Sequence, residues 1–206
     1  WQSRSVPTAY TDRWRENGNR GNFDRDKIRQ AVWEVGLVGG TAVYVGGNEN
    51  DGYLKETYAT DFEAAPDVGL RSAFFCYSIK NFGNLNPHSE LLTNGAGAVL
   101  AAHPGYEYVV YDRDGGTISI NLAAAAGVSL QPVWYNPRTG QFINEQTILG
   151  GGVHSFQPPF SGDSVLHLYR ADGLSSGMQQ LFAGGTNFTY LPLVMNTSAP
   201  TMLCSK

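Results

Sequence analysis

With 206 residues, 42% of them apolar and 12% aromatic, the chain can bury a substantial core, which excludes disorder throughout its length. Its net charge of −4 and the lack of a lysine and arginine cluster argue against nucleic acid as a partner. No run of about 18 apolar residues is present, so the sequence predicts no membrane-spanning helix.

The N-terminal part combines predicted helices with a strand of the parallel type. Asp24 and Asp26 open a segment whose apolar residues recur with the helical period up to a stop at Gly39-Gly40. Residues 41–45 are continuously apolar, which is typical of strands in parallel sheets that helices cover on both faces. A polar loop over 48–61 then precedes a second helix, predicted over 68–81, with Leu70, Phe74 and Tyr77 on one stripe.

The pattern changes after Pro87 to short strand-like runs separated by glycine, proline and aspartate turns. This spacing predicts an antiparallel β-sandwich over residues 95–170, in which Trp134 packs between the two sheets. The predicted fold class of the whole chain is therefore α+β. The predicted strands are 98–102, 106–111, 117–122, 128–135, 141–148, 153–156 and 164–169.

The cysteines and the C-terminal segment carry less information. Cys76 and Cys204 are the only cysteines, too few for a disulfide scaffold or a zinc site. Cys76 lies in an apolar helical segment and is predicted to be a small core residue. The segment from Ala171 onward is rich in glycine, serine and threonine, and we interpret it as a tail with one apolar stretch at 190–195.

Two segments carry a family resemblance: 131–140, which reads Gln-Pro-Val-Trp-Tyr-Asn-Pro-Arg-Thr-Gly, and 160–169, which reads Phe-Ser-Gly-Asp-Ser-Val-Leu-His-Leu-Tyr. In the first, Pro137 fixes φ for a turn and Gly140 can take the left-handed position after it. Together they resemble the C-terminal β-sandwich of apiosidase-like glycoside hydrolases, a domain often labelled collagen-binding. The resemblance implies three segments: 1–90 as the end of a (β/α)8 TIM barrel, 95–170 as the sandwich and 171–206 as the tail.

The resemblance also implies where chemistry would take place. Residues 7–10 and 41–45 would be the seventh and eighth barrel strands, and barrel active sites lie just after such strands. The family's strand-seven carboxylate is a glutamate, and Asp12 stands near that position here, with Glu16 as the alternative in a shifted register. Glycoside hydrolysis needs a second carboxylate, which would come from an earlier strand.

Three further residues are candidate substrate contacts: Trp14 and Tyr44 as surfaces for sugar stacking, and Asn48 in the loop after strand eight. A structural alternative stays open for each site, because Asp12 and Glu16 could form a solvated, ion-paired loop and the aromatic residues could be buried at a barrel rim. We expect no cofactor. We also expect no metal site, since the acidic and amide residues of 48–51 lack calcium-loop spacing.

Three functional hypotheses follow. The first is the C-terminal part of a secreted, extracellular glycoside hydrolase acting on polysaccharide or oligosaccharide, inactive as a fragment. The second is a non-catalytic carbohydrate-binding or collagen-binding adhesion module. The third is a sandwich that only stabilises a barrel. An exposed row of aromatic residues on a sheet face would favour sugar binding, and a flat, charged face without aromatic residues would favour the structural role.

A truncated barrel has one further consequence for the helix at 26–38. Its apolar side chains Ile28, Val32 and Val35, with Trp33 at the flank, are predicted to form an exposed patch that the missing strands would cover. Packing of this face within the 206 residues would contradict the truncated-barrel interpretation.

Overall fold

The computed structural model describes residues 8–10, 24–42 and 64–171. These ranges contain two α-helices and twelve β-strands. The helices are α1 (Arg25–Leu37) and α2 (Ala65–Tyr77). The strands are β1 (Thr8–Tyr10), β2 (Gly40–Ala42), β3 (Asn86–Pro87), β4 (Leu92–Asn94), β5 (Ala98–His103), β6 (Glu107–Asp112), β7 (Ile118–Asn121), β8 (Ser129–Tyr135), β9 (Phe142–Asn144), β10 (Ile148–Leu149), β11 (Val153–Phe156) and β12 (Ser164–Arg170).

The N-terminal elements form a β-α-β unit. Strands β1 and β2 pair in parallel, with Thr8 opposite Gly40, and α1 is the connection that parallel pairing requires. Helix α1 begins as predicted, because the Asp24 side chain accepts a hydrogen bond from the Lys27 N–H at 2.8 Å. Within the described residues this parallel sheet has two strands, so the end of a TIM barrel stays a prediction.

Helix α2 differs from its predicted form. It ends at Tyr77, four residues before the expected end, and Tyr77 is 79% exposed and so lies outside the apolar stripe. The prediction for Cys76 was also wrong, because this residue is exposed and disulfide-bonded. The reason is helical geometry: Cys76 is two residues from the buried Phe74, a rotation of about 200° to the other side of the helix. The other cysteine, Cys204, lies outside the described residues.

Residues beyond 85 form two antiparallel sheets. The sandwich predicted over 95–170 therefore also includes β3 and β4, which were not predicted. The large sheet has the order β10-β8-β12-β6-β5-β3, with β9 also paired to β8, and the small sheet has the order β11-β7-β4. Between residues 105 and 170 the only helical element is a three-residue 3-10 turn, Ala123–Ala125. Trp134 is fully buried between the sheets and donates its Nε1–H to Glu145 Oε1 at 2.6 Å, which confirms its predicted place.

The large sheet is covered on both faces. On β6, Tyr108 and Val110 point into the core between the two sheets, whereas Val109 and Tyr111 pack against the helices. Every residue of β6 is therefore buried, a pattern that requires cover on both sides. The face that carries Val109, Tyr111, Tyr135 and Val165 is called the helix-facing side below.

The prediction of an exposed apolar patch on α1 was wrong. Ile28, Val32 and Trp33 are at most 1% exposed and Val35 is 7% exposed, all within this chain. Val32, Trp33 and Val35 share one core with the helix-facing side, so the sandwich itself covers the face that was assigned to missing barrel strands. By the criterion set for this face, the argument from α1 for a truncated barrel fails. The division into segments 1–90, 95–170 and 171–206 stays a prediction. No helix in the described ranges is long and apolar enough to cross a bilayer.

Candidate functional site

The predicted catalytic and substrate-binding residues, namely Asp12, Glu16, Trp14, Tyr44 and Asn48, all lie outside the described residues. Their roles stay predictions. The best-defined polar arrangement in the described part of the chain lies elsewhere, at the contact between the two helices and the large sheet.

Aromatic side chains form the apolar half of this interface. The Trp33 ring of α1 stacks on Tyr111 of β6, with centroids 5.7 Å apart and planes 7° from parallel. Phe74 of α2 meets Trp33 edge-on at 5.3 Å and lies 4.9 Å from Tyr135 of β8. Such ring pairs add about 0.5–1.5 kcal/mol each beyond the burial of their area, so this cluster ties both helices to the sheet.

Arg29 provides the polar half of the interface. This arginine is 1% exposed, and its Nε and Nη2 donate to the two carboxylate oxygens of Asp163 at 2.7 and 3.1 Å. Its Nη1 donates to Asp67 at 3.2 Å, and Nη2 also contacts Asp26 at 2.8 Å. Burial by itself would lower the pKa of Arg29, but the bonds to Asp163 outweigh it and raise that pKa.

The carboxylates around Arg29 have further partners. Asp163 accepts a hydrogen bond from the Tyr111 hydroxyl at 3.0 Å and contacts Arg138 Nη2 at 3.0 Å. Asp67 of α2 is bound bidentately by Arg25 at 2.9 and 2.8 Å. We call these residues the ion cluster: Arg25, Asp26, Arg29, Asp67, Arg138 and Asp163. Its three arginines balance its three aspartates. Arg29, Asp67 and Asp163 are buried, and Arg25, Asp26 and Arg138 reach the surface, so the buried charges are paired.

The two segments that carried the family resemblance contribute directly to this interface. Arg138 and Asp163 come from segments 131–140 and 160–169 respectively. Gly140 has φ 74° as predicted, and a β-carbon there would lie 2.9 Å from Leu70 Cδ2 of α2. Part of the resemblance therefore faces the helices of the same chain, whereas Trp134 of the first segment lies between the two sheets.

A second buried polar pair anchors the segment that leaves α2. Glu107 is 2% exposed and accepts hydrogen bonds from the backbone N–H groups of Lys80 and Asn81 at 2.8 and 3.0 Å. His167 Nε2 lies 2.8 Å from the same carboxylate. Burial raises the pKa of Glu107, but the His167 and backbone hydrogen bonds outweigh it and hold the pKa below its ordinary value. Burial lowers the pKa of His167. Both side chains are shielded from solvent, so this pair fixes structure and does not contact a substrate.

No sheet face in the described residues carries an exposed row of aromatic side chains. The outer face of the small sheet carries mainly polar residues, such as Ser119 and Ser155, whose hydroxyls lie 2.8 Å apart, together with the exposed Val153. Tyr106 is half exposed but lies in a turn, stacked on His103 at 4.4 Å and contacted by Arg170. The described sheet faces therefore lack the aromatic row set out above for sugar binding, and the charged flat face set out for a structural role is not seen on them either.

One local signal for the ion cluster was present in the sequence and was overlooked. Arg29 stands one helical turn before Trp33, beside the apolar stripe of the predicted amphipathic helix. A charged residue at such a position indicates a buried partner. Its partner Asp163 lies 134 positions further along the chain, so spacing alone could not have identified it.

Comparisons with known proteins agree with this architecture. Residues 89–168 match the family described as "Putative collagen-binding domain of a collagenase", which is less than half of the chain. The crystal structure of a glycoside hydrolase family 5 protein from Bacteroides vulgatus ATCC 8482 is similar over 79% of this chain, with a TM-score of 0.62 and 15% identity. A second solved structure, described as a glycoside hydrolase, is similar over 75% of this chain, with a TM-score of 0.61 and 17% identity.

At this identity the two structures establish a shared fold alone. The chain spans 41% and 38% of their lengths, so it corresponds to about two fifths of each. A search of curated proteins found no match.

Proposed function

We propose that this chain is the C-terminal part of an extracellular, apiosidase-like glycoside hydrolase that acts on polysaccharide or oligosaccharide. In this proposal the sandwich is an accessory domain fixed to a barrel. The packed face of α1 contradicts the argument for a truncated barrel that was drawn from that face, so the parallel pair of β1 and β2 and the fold similarity are its remaining support. The single observation that carries the proposal is the fold similarity to two glycoside hydrolases, which extends over the helices as well as the sandwich because it covers at least 75% of the chain.

The parallel pair of β1 and β2 supports a larger parallel sheet. Three-residue parallel strands are marginal alone, and parallel sheets are found where helices cover a sheet of several strands on both faces. The apolar face of α1 gives no such support, because the sandwich already covers it. The proposal therefore depends on the strand pairing and the fold, and not on an exposed patch.

The catalytic part of the proposal is tested in the full-length protein. Asp12→Asn keeps the shape of the side chain and removes its charge, so it should lower the release of reducing sugar from polysaccharide by orders of magnitude. Glu16→Gln makes the same change at the residue that would be catalytic if the register is shifted. Asp114→Asn, on the exposed turn after β6, is the control. Full activity in both Asp12→Asn and Glu16→Gln would remove the catalytic assignment. The isolated chain should be inactive, because one carboxylate cannot hydrolyse a glycoside in the usual two-carboxylate mechanism.

A non-catalytic carbohydrate-binding or collagen-binding module is the second candidate, favoured by the description of the family that residues 89–168 match. Electrophoresis of the 206-residue chain through gels that contain polysaccharide or gelatin distinguishes the two candidates. Retardation without any hydrolysis by the full-length protein would favour the binding module. Hydrolysis without retardation would favour the enzyme.

A further inference from the structure

Cys76 takes part in a disulfide bond whose partner follows from the sequence. This residue lies in the last turn of α2, where it is exposed and disulfide-bonded. The chain has two cysteines, so the candidate partner within these 206 residues is Cys204, which lies outside the described residues. A bond between them closes a loop that begins in α2 and contains every strand of the sandwich.

The surface around Cys76 is aromatic. The next residue, Tyr77, is 79% exposed, and Phe82 in the 3-10 turn after the helix is 56% exposed. Phe75, the preceding residue, meets the Phe82 ring edge-on with centroids 5.6 Å apart. We call Phe75, Tyr77 and Phe82 the aromatic patch. Five large apolar side chains are exposed in the described residues, and two of them lie in this patch, so the disulfide is located where apolar surface meets water.

The tail carries an apolar segment that the disulfide would bring to this patch. Residues 190–195 read Tyr-Leu-Pro-Leu-Val-Met and end nine residues before Cys204. Nine residues span at most about 30 Å when fully extended, so a bond at Cys204 keeps the segment within that distance of Cys76. Residues 173–205 contain no charged side chain. No charge therefore opposes burial of the segment, and its apolar side chains gain free energy by leaving water.

We propose that Cys204 is the disulfide partner of Cys76 and that residues 190–195 dock on the aromatic patch. The tether makes this contact intramolecular, with an effective concentration on the order of millimolar, so the chain's own tail binds in preference to a more dilute second copy. Formation of the bond removes two electrons and two protons from the two thiols, and a disulfide oxidant such as oxidised glutathione accepts them and becomes two thiols. The inference does not depend on the enzymatic proposal, since it concerns the tail and the surface of α2.

Peptide mapping without reduction tests the disulfide in the 206-residue chain. Free thiols are first blocked with N-ethylmaleimide, and trypsin then releases Cys76 in the peptide 72–80 and Cys204 in the peptide 171–206. We expect these two peptides as one cross-linked species that separates on reduction. N-ethylmaleimide on Cys76, or two copies of 72–80 joined to each other, would overturn the proposal.

The methionines of the chain test the docking, because all three lie in the tail, at Met178, Met195 and Met202. Hydrogen peroxide converts an accessible methionine to its sulfoxide, and burial slows this reaction. Met195 is the last residue of the apolar segment, whereas Met178 lies outside it. We expect Met195 to be oxidised about tenfold more slowly than Met178, and the two rates to become equal in Cys204→Ser. Equal rates in the unaltered chain would contradict docking even if the disulfide is found.

A matched pair of surface variants locates the docking site. Tyr77→Ser removes an exposed ring from the aromatic patch. Val153→Ser removes an exposed apolar side chain from the small sheet, which the large sheet separates from the helices. We expect faster oxidation of Met195 in Tyr77→Ser alone. The same rate in both variants would overturn the proposal, and so would protection of Met195 that increases with protein concentration, because the patch would then be filled by a second copy.

Discussion

Replacing Gly115 tests how closely the turns around the ion cluster are packed. Gly115 follows β6 with φ 74°, and a β-carbon there would lie 2.7 Å from the carbonyl oxygen of Gly162. Gly162 immediately precedes Asp163, so an added methyl group must move the backbone that positions this carboxylate. Gly127 is a matched control, because its φ is 75° and a β-carbon would meet no atom within 4 Å.

The two substitutions share one cost and differ in another. Placing alanine in the left-handed region costs about 1–2 kcal/mol at either position. Overpacking against a rigid neighbour adds about 1–3 kcal/mol, and this applies to Gly115→Ala alone. We therefore expect Gly127→Ala to lower the free energy of unfolding by about 1–2 kcal/mol and Gly115→Ala to lower it by about 2–5 kcal/mol.

Urea unfolding of the 206-residue chain, followed by tryptophan fluorescence, measures the free energy of unfolding of both variants under the same conditions. An unchanged m-value in both variants is needed for the comparison to reflect the folded state. If Gly115→Ala cost no more than Gly127→Ala, the close approach of the two turns would not be a feature of the folded protein, and the argument from packing would fail.

Three other predictions concern single groups. Tyr135→Phe removes the hydroxyl that donates to the Leu70 carbonyl at 3.0 Å and should cost about 1 kcal/mol in urea unfolding; no loss would mean that water replaces this bond. Asp24→Ala removes the N-cap of α1 and should lower the free energy of unfolding by about 1 kcal/mol. Lys27→Ala, which leaves the cap side chain in place, is the control. Equal losses of stability in the two variants would contradict the capping role of Asp24. The free energy of unfolding should also decrease as the pH is lowered. The pKa of His167 is lowered in the folded state, so below about pH 6.5 the unfolded state takes up a proton first and gains stability relative to the folded state. The lowered pKa of Glu107 has the same effect below about pH 4.5. His167→Gln should therefore flatten the dependence of stability on pH near pH 6.5, and an unchanged slope there would refute this prediction.

Local signals in the sequence predicted the elements themselves. The Asp24 cap and the helical period located α1 to within a residue or two, since both depend on neighbours along the chain. Trp134 could be placed between the sheets because it lies in an apolar and aromatic strand of the predicted sandwich, where a tryptophan belongs to the core. The end of α2 was predicted four residues too late. Tyr77 continues the apolar period of the helix, although nothing in the described residues buries its side chain.

The packing of the helices on the sheet could not be predicted in this way. Arg29 and Asp163 are 134 positions apart, and Arg29 and Asp67 are 38 apart, so their pairing depends on the tertiary arrangement. The error over the face of α1 has the same origin. An apolar helix face indicates that another element packs against it, but the sequence does not show whether that element is a barrel strand or the sandwich.

The covered sheet limits where any ligand could bind to the described part of this protein. A surface that exchanges ligand must expose its recognition groups, whereas Asp163 and Arg29 are each 1% exposed and hold each other through two hydrogen bonds. Exposing the face to collagen or sugar would require α1 to separate from the sheet, which would break these hydrogen bonds and expose the apolar core that Val32, Trp33 and Val35 share with the sheet. The other face of the large sheet is filled by the small sheet. A ligand of the sandwich must therefore bind at its turns, at its strand edges or on the polar outer face of the small sheet, and the helix-facing side is committed to holding α1 and α2.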